Sequence, residues 1–180
     1  MVLSILICTL PERKHYLDRL LSILNPQITN GVEIVINDSG RQMPTGTKRN
    51  LLIDSAQGEY VGFVDCDDIV SNDYVSLIKE GALSGKDVVT FNGKMTTNGA
   101  SPVDWVIKLG EDYVERNGMY YRFPNHLTYM KKSLIKGVKF PDVWMGEDYA
   151  FAKKVNDLGL LKSDYHIEKQ LYTYEYRTNK

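Results

Sequence analysis

Three carboxylates in four positions, Asp65-Cys66-Asp67-Asp68, follow directly on the apolar run Tyr60-Val61-Gly62-Phe63-Val64. A short buried strand ending this way concentrates negative charge at a sheet edge, where it is tolerated only if a cation neutralises it. A divalent metal is the natural candidate. Mg2+ combines one or two carboxylates with substrate phosphates and water, so the same residues predict a phosphorylated partner and nucleotide chemistry. The plainer alternative is an exposed turn with an Asp capping the next helix, but such a turn does not need three carboxylates. Alternate residues of extended backbone share a side, so Asp65 and Asp67 are expected to face one ligand while Cys66 packs away from it.

Other groups are positioned to act with this cluster. Gly46-Thr47-Lys48-Arg49-Asn50 opens a helix with two cations in its first turn, where the helix dipole disfavours them, so an anion is expected nearby. Helix amides together with Lys48 and Arg49 suit a diphosphate; a solvated basic pair is the alternative. Glu147-Asp148 also opens a helix. Capping alone explains such a pair, but the preceding Trp144-Met145-Gly146 favours a pocket, in which a carboxylate could take a proton from a hydroxyl. His126 lies in an aromatic setting after Tyr120, Tyr121 and Phe123 and is a candidate for metal or acceptor contact. Tyr172, Tyr174 and Tyr176 alternate along one strand face, for packing or for stacking on a sugar.

The elements that must hold these groups follow from hydrophobic period. Strands are expected at Leu3 to Cys8, Glu33 to Ile36, Tyr60 to Val64 and Val88 to Phe91, and a strand-like run at Leu171 to Tyr176. Helices are expected at Tyr16 to Leu24, at Thr47 to Ala56 with Leu51, Leu52 and Ser55 on one side, and at Tyr74 to Leu83. A further helix starts at Gly146-Glu147-Asp148 with Phe151, Val155 and Leu158 in phase. Asn98-Gly99 reads as a hairpin turn. Repeated strand-helix-strand units imply an α/β chain with a mostly parallel, Rossmann-like sheet flanked by helices. Its ligand crevice lies at the strand C-termini, where Thr9, Asp38 and Asp65 fall. At 180 residues the chain forms one domain, large enough to bury roughly 70% of its unfolded surface without staples. A net charge of -1 argues against a dedicated polyanion binder, and the two distant cysteines, Cys8 and Cys66, fit a reducing compartment. The apolar run from Val2 to Cys8 is too short to span a bilayer and lacks a basic leader, so a cytoplasmic protein without a transmembrane segment is expected.

In order and spacing, Thr9-Leu10-Pro11-Glu12-Arg13, Gly46 to Asn50, Phe63 to Asp68, Pro124 to Leu127 and Gly146-Glu147-Asp148-Tyr149 resemble the family 2-like glycosyltransferases of the GT-A fold, particularly their short soluble bacterial and phage group. The resemblance spans nearly the full length. It implies a nucleotide-sugar-binding half over about 1–92 and an acceptor and catalytic half, with a small antiparallel portion, over about 93–180. It further implies that Thr9, Pro11, Arg13, Asp38, Lys48, Arg49, Asn50 and Asp65 bind the nucleotide sugar, with Lys48 and Arg49 near the diphosphate. Asp67, Asp65 and His126 would hold Mn2+ or Mg2+ as a DXD-type motif, and Glu147 and Asp148 match the catalytic acidic pair, with Asp148 favoured as general base. Cys66 departs from an otherwise acidic cluster, which leaves position 66 without a role.

The activity so implied is metal-dependent, inverting transfer of one sugar from a nucleotide-diphosphate sugar, a UDP-sugar first, to an acceptor hydroxyl. That hydroxyl could belong to a glycan, a lipid-linked sugar, a protein or a modified nucleobase. Two other readings compete. A haloacid-dehalogenase-like phosphatase also places Asp-x-Asp after a buried strand, but normally on the first strand, whereas here two strand-helix units precede it. The other is a nucleotide-sugar-binding module without turnover.

Overall fold

In the computed structural model, which describes residues 1–178, ten strands form one sheet. In chain order the elements are β1 (Leu3–Cys8), α1 (Lys14–Leu24), β2 (Val32–Asn37), α2 (Thr45–Ser55), β3 (Tyr60–Phe63), β4 (Ile69–Val70), α3 (Tyr74–Leu83), β5 (Val88–Thr97), β6 (Ala100–Ile107), β7 (Val114–Arg116), β8 (Met119–Arg122), β9 (Tyr129–Lys131), α4 (Lys132–Ile135), α5 (Glu147–Asp157) and β10 (Asp164–Tyr176). The strand order is β2-β1-β3-β9-β5-β6-β8-β7, with β10 beside β5 and β4. β1 runs parallel to β2 and β3, and β10 parallel to β5, while β9 enters antiparallel between β3 and β5. The expected halves meet inside β5, which belongs to both.

The layers follow from alternation along the strands. Leu3, Ile5 and Ile7 of β1 pack with Leu20 and Leu24 of α1 and Val75 and Ile78 of α3, all fully or nearly fully buried. Leu6, on the other face, packs with Leu52 and Ile53 of α2 and Phe151 and Val155 of α5. α1 stops where Pro26 interrupts α-helical bonding and the chain turns through a short 3-10 segment. Asn98 and Gly99 both take positive φ, 50° and 80°, as a tight hairpin between β5 and β6 requires.

Two helix faces differ from expectation. α2 turns Lys48, Arg49, Leu52 and Ile53 inward and leaves Leu51 exposed, because its N-terminal cations are buried in the crevice and fix its rotation. α5 ends at Asp157, so Leu158 lies beyond it and is exposed. Among the described residues no helix is long and apolar enough to cross a membrane.

Candidate active site

β1, β2 and β3 end at one edge of the sheet, and Thr9 N–H donates to Asn37 O at 2.9 Å to hold the first two ends together. Two cavities open there. One, of about 520 Å³, is lined by cations: Arg13, Arg41, Lys48 and Arg49, with Thr9 and Asp67. The other, of about 570 Å³, is lined by Asp148, His126 and a group of aromatic side chains. Asp65 and Tyr174 belong to both walls.

The acidic cluster is balanced by the protein itself. Asp65 Oδ1 accepts from Arg49 Nη2 at 3.0 Å, and Asp65 Oδ2 lies 3.3 Å from His126 Nε2. Burial acts to raise the Asp65 pKa, but Arg49 and His126 outweigh it and hold the carboxyl well below the usual carboxylate range. Asp67 Oδ2 accepts from Arg13 Nη1 at 3.4 Å and lies 3.6 Å from Arg177 Nη1. Arg19 donates to the Asp67 carbonyl at 2.6 Å and pairs with Glu175 at 3.1 Å, and Glu175 also pairs with Arg177. Asp68 turns inward and ties β10 to the acidic loop, accepting from Tyr172 Oη at 2.7 Å and Glu175 N at 2.9 Å. The premise that an outside cation must neutralise all three aspartates therefore does not hold: arginines and a histidine from distant segments pair with Asp65 and Asp67, while Asp68 has neutral donors, and burial, with Asp65 beside it, pushes its pKa up. Cys66 packs in the core but also lines the cationic cavity with Asp65 and Asp67, so it does not turn wholly away from the ligand side as expected.

The anion expected beside the α2 cations is also internal. Arg49 donates through Nε to Glu147 Oε1 at 3.1 Å as well as to Asp65, and its guanidinium lies 4.7 Å over the Phe63 ring. Lys48 differs. It is 3% exposed, its Nζ reaches only the Thr9 carbonyl at 3.3 Å, and among the described residues it forms no ion pair. Burial lowers its pKa.

Glu147 and Asp148 diverge because neighbouring helical residues project about 100° apart. Gly146 caps α5 with φ 79°, and Glu147 then enters the core against Arg49 while Asp148, 39% exposed at its side chain, faces the aromatic cavity. The geometry makes Glu147 a partner of Arg49 and leaves Asp148 as the accessible carboxylate. His126 stands between the carboxylates, its Nδ1 buried, without a hydrogen bond and 3.8 Å from Asp148 Oδ2. Phe63 N–H donates to the His126 carbonyl at 2.8 Å and fixes this loop to the end of β3.

Not every expected residue converges. Asn50 exchanges two 2.9 Å hydrogen bonds with the backbone of Phe140 and serves the α2 packing rather than the cavity wall. Asp38 and Pro11 are exposed and line neither cavity. Sequence reasoning missed Arg41, Tyr113 and Arg122, and took Tyr120 only as part of the aromatic setting of His126. Only the run of tyrosines and arginines from Tyr113 to Arg122 could have signalled Tyr113 and Arg122.

No protein-family model and no curated protein sequence matches this chain. Among solved structures it is similar to residues 1–349 of S. aureus TarS bound to UDP-GlcNAc, with a TM-score of 0.76, 20% identity, and coverage of 100% of this chain and 60% of that one. The same TarS segment bound to UDP gives 0.73 and 21% identity over 97% of this chain and 60% of that one. A longer TarS structure gives 0.70 and 20% identity over 97% and 37%. The chain thus spans about 60% of the length of the first structures it matches. At this identity the likeness shows the fold, and the fold is the GT-A architecture.

Proposed function

We propose that this chain is a glycosyltransferase that moves one sugar from a nucleoside-diphosphate sugar to an acceptor hydroxyl, with inversion. The observation carrying this reading is Lys48: a buried amine without a carboxylate partner, on the wall of a cationic cavity that adjoins, across Asp65 and Tyr174, the cavity holding Asp148. Leaving such a cation buried is unfavourable until an anion arrives. A diphosphate suits Lys48, Arg13 and Arg41 in chemistry, and the UDP and UDP-GlcNAc bound by TarS favour a uridine donor here.

The sugar then lies toward Asp65, and the acceptor enters through the aromatic cavity. Its oxygen bonds to the anomeric carbon, the bond from that carbon to the diphosphate oxygen breaks, and the hydroxyl proton passes to Asp148. His126 keeps the Asp148 and Asp65 carboxylates apart and oriented. Lys48 stabilises the charge that grows on the departing diphosphate, an interaction stronger in the transition state than in the ground state.

A metal would find only part of its ligand set already in place here. Among the described residues no three His, Cys, Asp or Glu side chains already converge as ligands, and Asp65 is engaged by Arg49 and His126. Asp67, a carboxylate on the cationic wall paired with Arg13 and Arg177, would supply the hard oxygen that Mg2+ or Mn2+ takes alongside phosphates and water by exchanging those partners. A dication held there would share in neutralising the leaving diphosphate.

The test is calorimetry with UDP, with and without Mn2+, followed by turnover of UDP-GlcNAc and a panel of other nucleotide sugars. Lys48→Ala should weaken UDP binding by tenfold or more, and Asp148→Asn should bind UDP normally without transfer. Absence of UDP binding by the intact protein, or UDP binding unaffected by Lys48→Ala, would sink the proposal.

A further inference from the structure

The aromatic cavity differs from its neighbour in charge as well as in shape. Its accessible carboxylate is Asp148, beside Asp65 and the inward-turned Asp68 that Tyr172 and the Glu175 amide hold, and apart from His126 the cation among its lining residues is Arg122. Arg122 is already engaged: its guanidinium lies 4.4 Å from the Tyr113 ring centre and 4.8 Å from that of Tyr120, and it donates to the carbonyls of Val114 at 3.0 Å and Tyr121 at 2.7 Å. His126 is held between Asp65 and Asp148. An entering phosphate would meet the accessible Asp148 carboxylate on a wall where acidic groups outnumber cations, whereas cations predominate in the adjoining cavity, with Arg13, Arg41, Lys48 and Arg49 beside Asp65 and Asp67.

Its aromatic surface suits a flat, partly apolar ring. Tyr174 and Tyr176, two residues apart on β10, both line the cavity with ring centres 6.4 Å apart and planes inclined at 53°. Burial and the nearby aspartates push the Tyr174 hydroxyl up to about 12, so it remains a neutral donor at every physiological pH. A pyranose presents C–H groups on its faces and hydroxyls round its edge. Tyrosine rings take the faces, and carboxylates accept from the edge. A nucleobase would also stack here, but in a nucleic acid it arrives with phosphates that this wall repels.

We infer that the acceptor recognised by this cavity is an uncharged, pyranose-containing glycan, with Tyr176 and Tyr174 as its platform, and that phosphorylated sugars and nucleic acids are turned away. This deepens the transferase reading and rests on it for the direction of transfer. The attacking hydroxyl is one of the ring's own: its oxygen bonds to the anomeric carbon, its proton goes to Asp148, and the nucleoside diphosphate leaves as before.

Saturation-transfer NMR on the full chain tests it, using methyl glycosides of glucose, galactose and N-acetylglucosamine, glucose 6-phosphate and a short oligodeoxynucleotide, each with and without UDP. At least one neutral glycoside should bind at millimolar concentration, and Tyr176→Ala, at a side chain already 43% exposed, should weaken it by about tenfold while leaving UDP affinity unchanged. The inference is overturned if the phosphate or the oligonucleotide binds as well as the best neutral glycoside, if no neutral glycoside binds, or if Tyr176→Ala changes nothing. Loss of UDP binding in the parent protein would instead strike the transferase reading, so the two failures remain distinguishable.

Discussion

Replacing each member of the acidic pair at the start of α5 by its amide should separate a fold-supporting carboxylate from a reactive one. Glu147→Gln keeps the side-chain volume, so no cavity forms, but it removes one of the two charges that hold the buried Arg49. Breaking a buried pair typically costs about 3–5 kcal/mol, and because the amide oxygen can still accept from Arg49 Nε, the lower end applies. For a chain of this size about 3 kcal/mol corresponds to a fall in Tm of roughly 6–12 °C. Asp148→Asn gives up only a 3.8 Å approach to the buried His126 that is not a hydrogen bond, and should unfold within about 0.5 kcal/mol of the parent protein. It should nevertheless lose sugar transfer by about 10²- to 10⁴-fold, the usual range for a general base, with UDP affinity retained. Urea unfolding, UDP calorimetry and turnover on the same three proteins give the comparison. A Glu147→Gln protein as stable as the parent but without transfer, beside an Asp148→Asn protein that keeps transfer, would refute the division of roles.

Four further outcomes follow from the same contacts. The folded-state pKa of Asp65 lies below its unfolded value, so its contribution to stability is complete above about pH 4 and is lost as the pH falls further; Asp65→Asn should flatten that acid limb in urea titrations between pH 5 and 2. Burial pushes the Cys8 thiol up to about 11, so at pH 8 it should resist a thiol reagent in the folded protein and react once unfolded; rapid native labelling at Cys8 would contradict this. A Cβ at Gly46 would lie 1.8 Å from the Pro141 carbonyl oxygen, so Gly46→Ala must displace the segment leading to Glu147, at a cost of about 1–3 kcal/mol measured by urea unfolding and with a loss of turnover. Since arginines already balance Asp65 and Asp67, EDTA should leave the urea midpoint of the ligand-free protein unchanged; a marked drop would mean that the fold requires a bound metal.

The legible parts of this fold are those in which one short stretch decides the outcome. β1 is apolar at nearly every position because both of its faces are covered, and α3 runs from Tyr74 to Leu83 as its spacing predicts. β10 was only partly visible. The polar stretch Glu168-Lys169-Gln170 interrupts the apolar signal where the pairing with β5 shifts register, so Leu171 to Tyr176 reads as a strand while the portion from Asp164 does not. β7 and β9 are three residues long and β8 four, too short for a period to declare itself, so the wall carrying Tyr113 and Tyr120 stayed hidden. The acidic loop and the Glu147-Asp148 pair were legible as candidates, but which of them face a cavity was not. That depends on partners such as Arg19 and Glu175, separated by 156 residues.

Charge placement ties these observations together. Carboxylates that look alike in the sequence are in three different situations: Asp68 and Glu147 are held by internal donors, Asp65 and Asp67 are paired but line a cavity, and Asp148 is open to one. The cations divide in the same way. Arg49 is consumed by two carboxylates and Arg122 by two rings and two carbonyls, whereas Lys48 is buried with only a carbonyl for company. Dipoles and charges fixed in advance act on a developing charge without reorganising, so what matters for catalysis is the group the fold leaves unmatched rather than the number of charged residues. Here one unmatched amine faces the cationic cavity, which the proposed reaction assigns to the leaving diphosphate, and one accessible carboxylate faces the aromatic cavity, which it assigns to the entering hydroxyl. Asp65, on the wall common to both, would mark the path of the sugar in the proposed transfer.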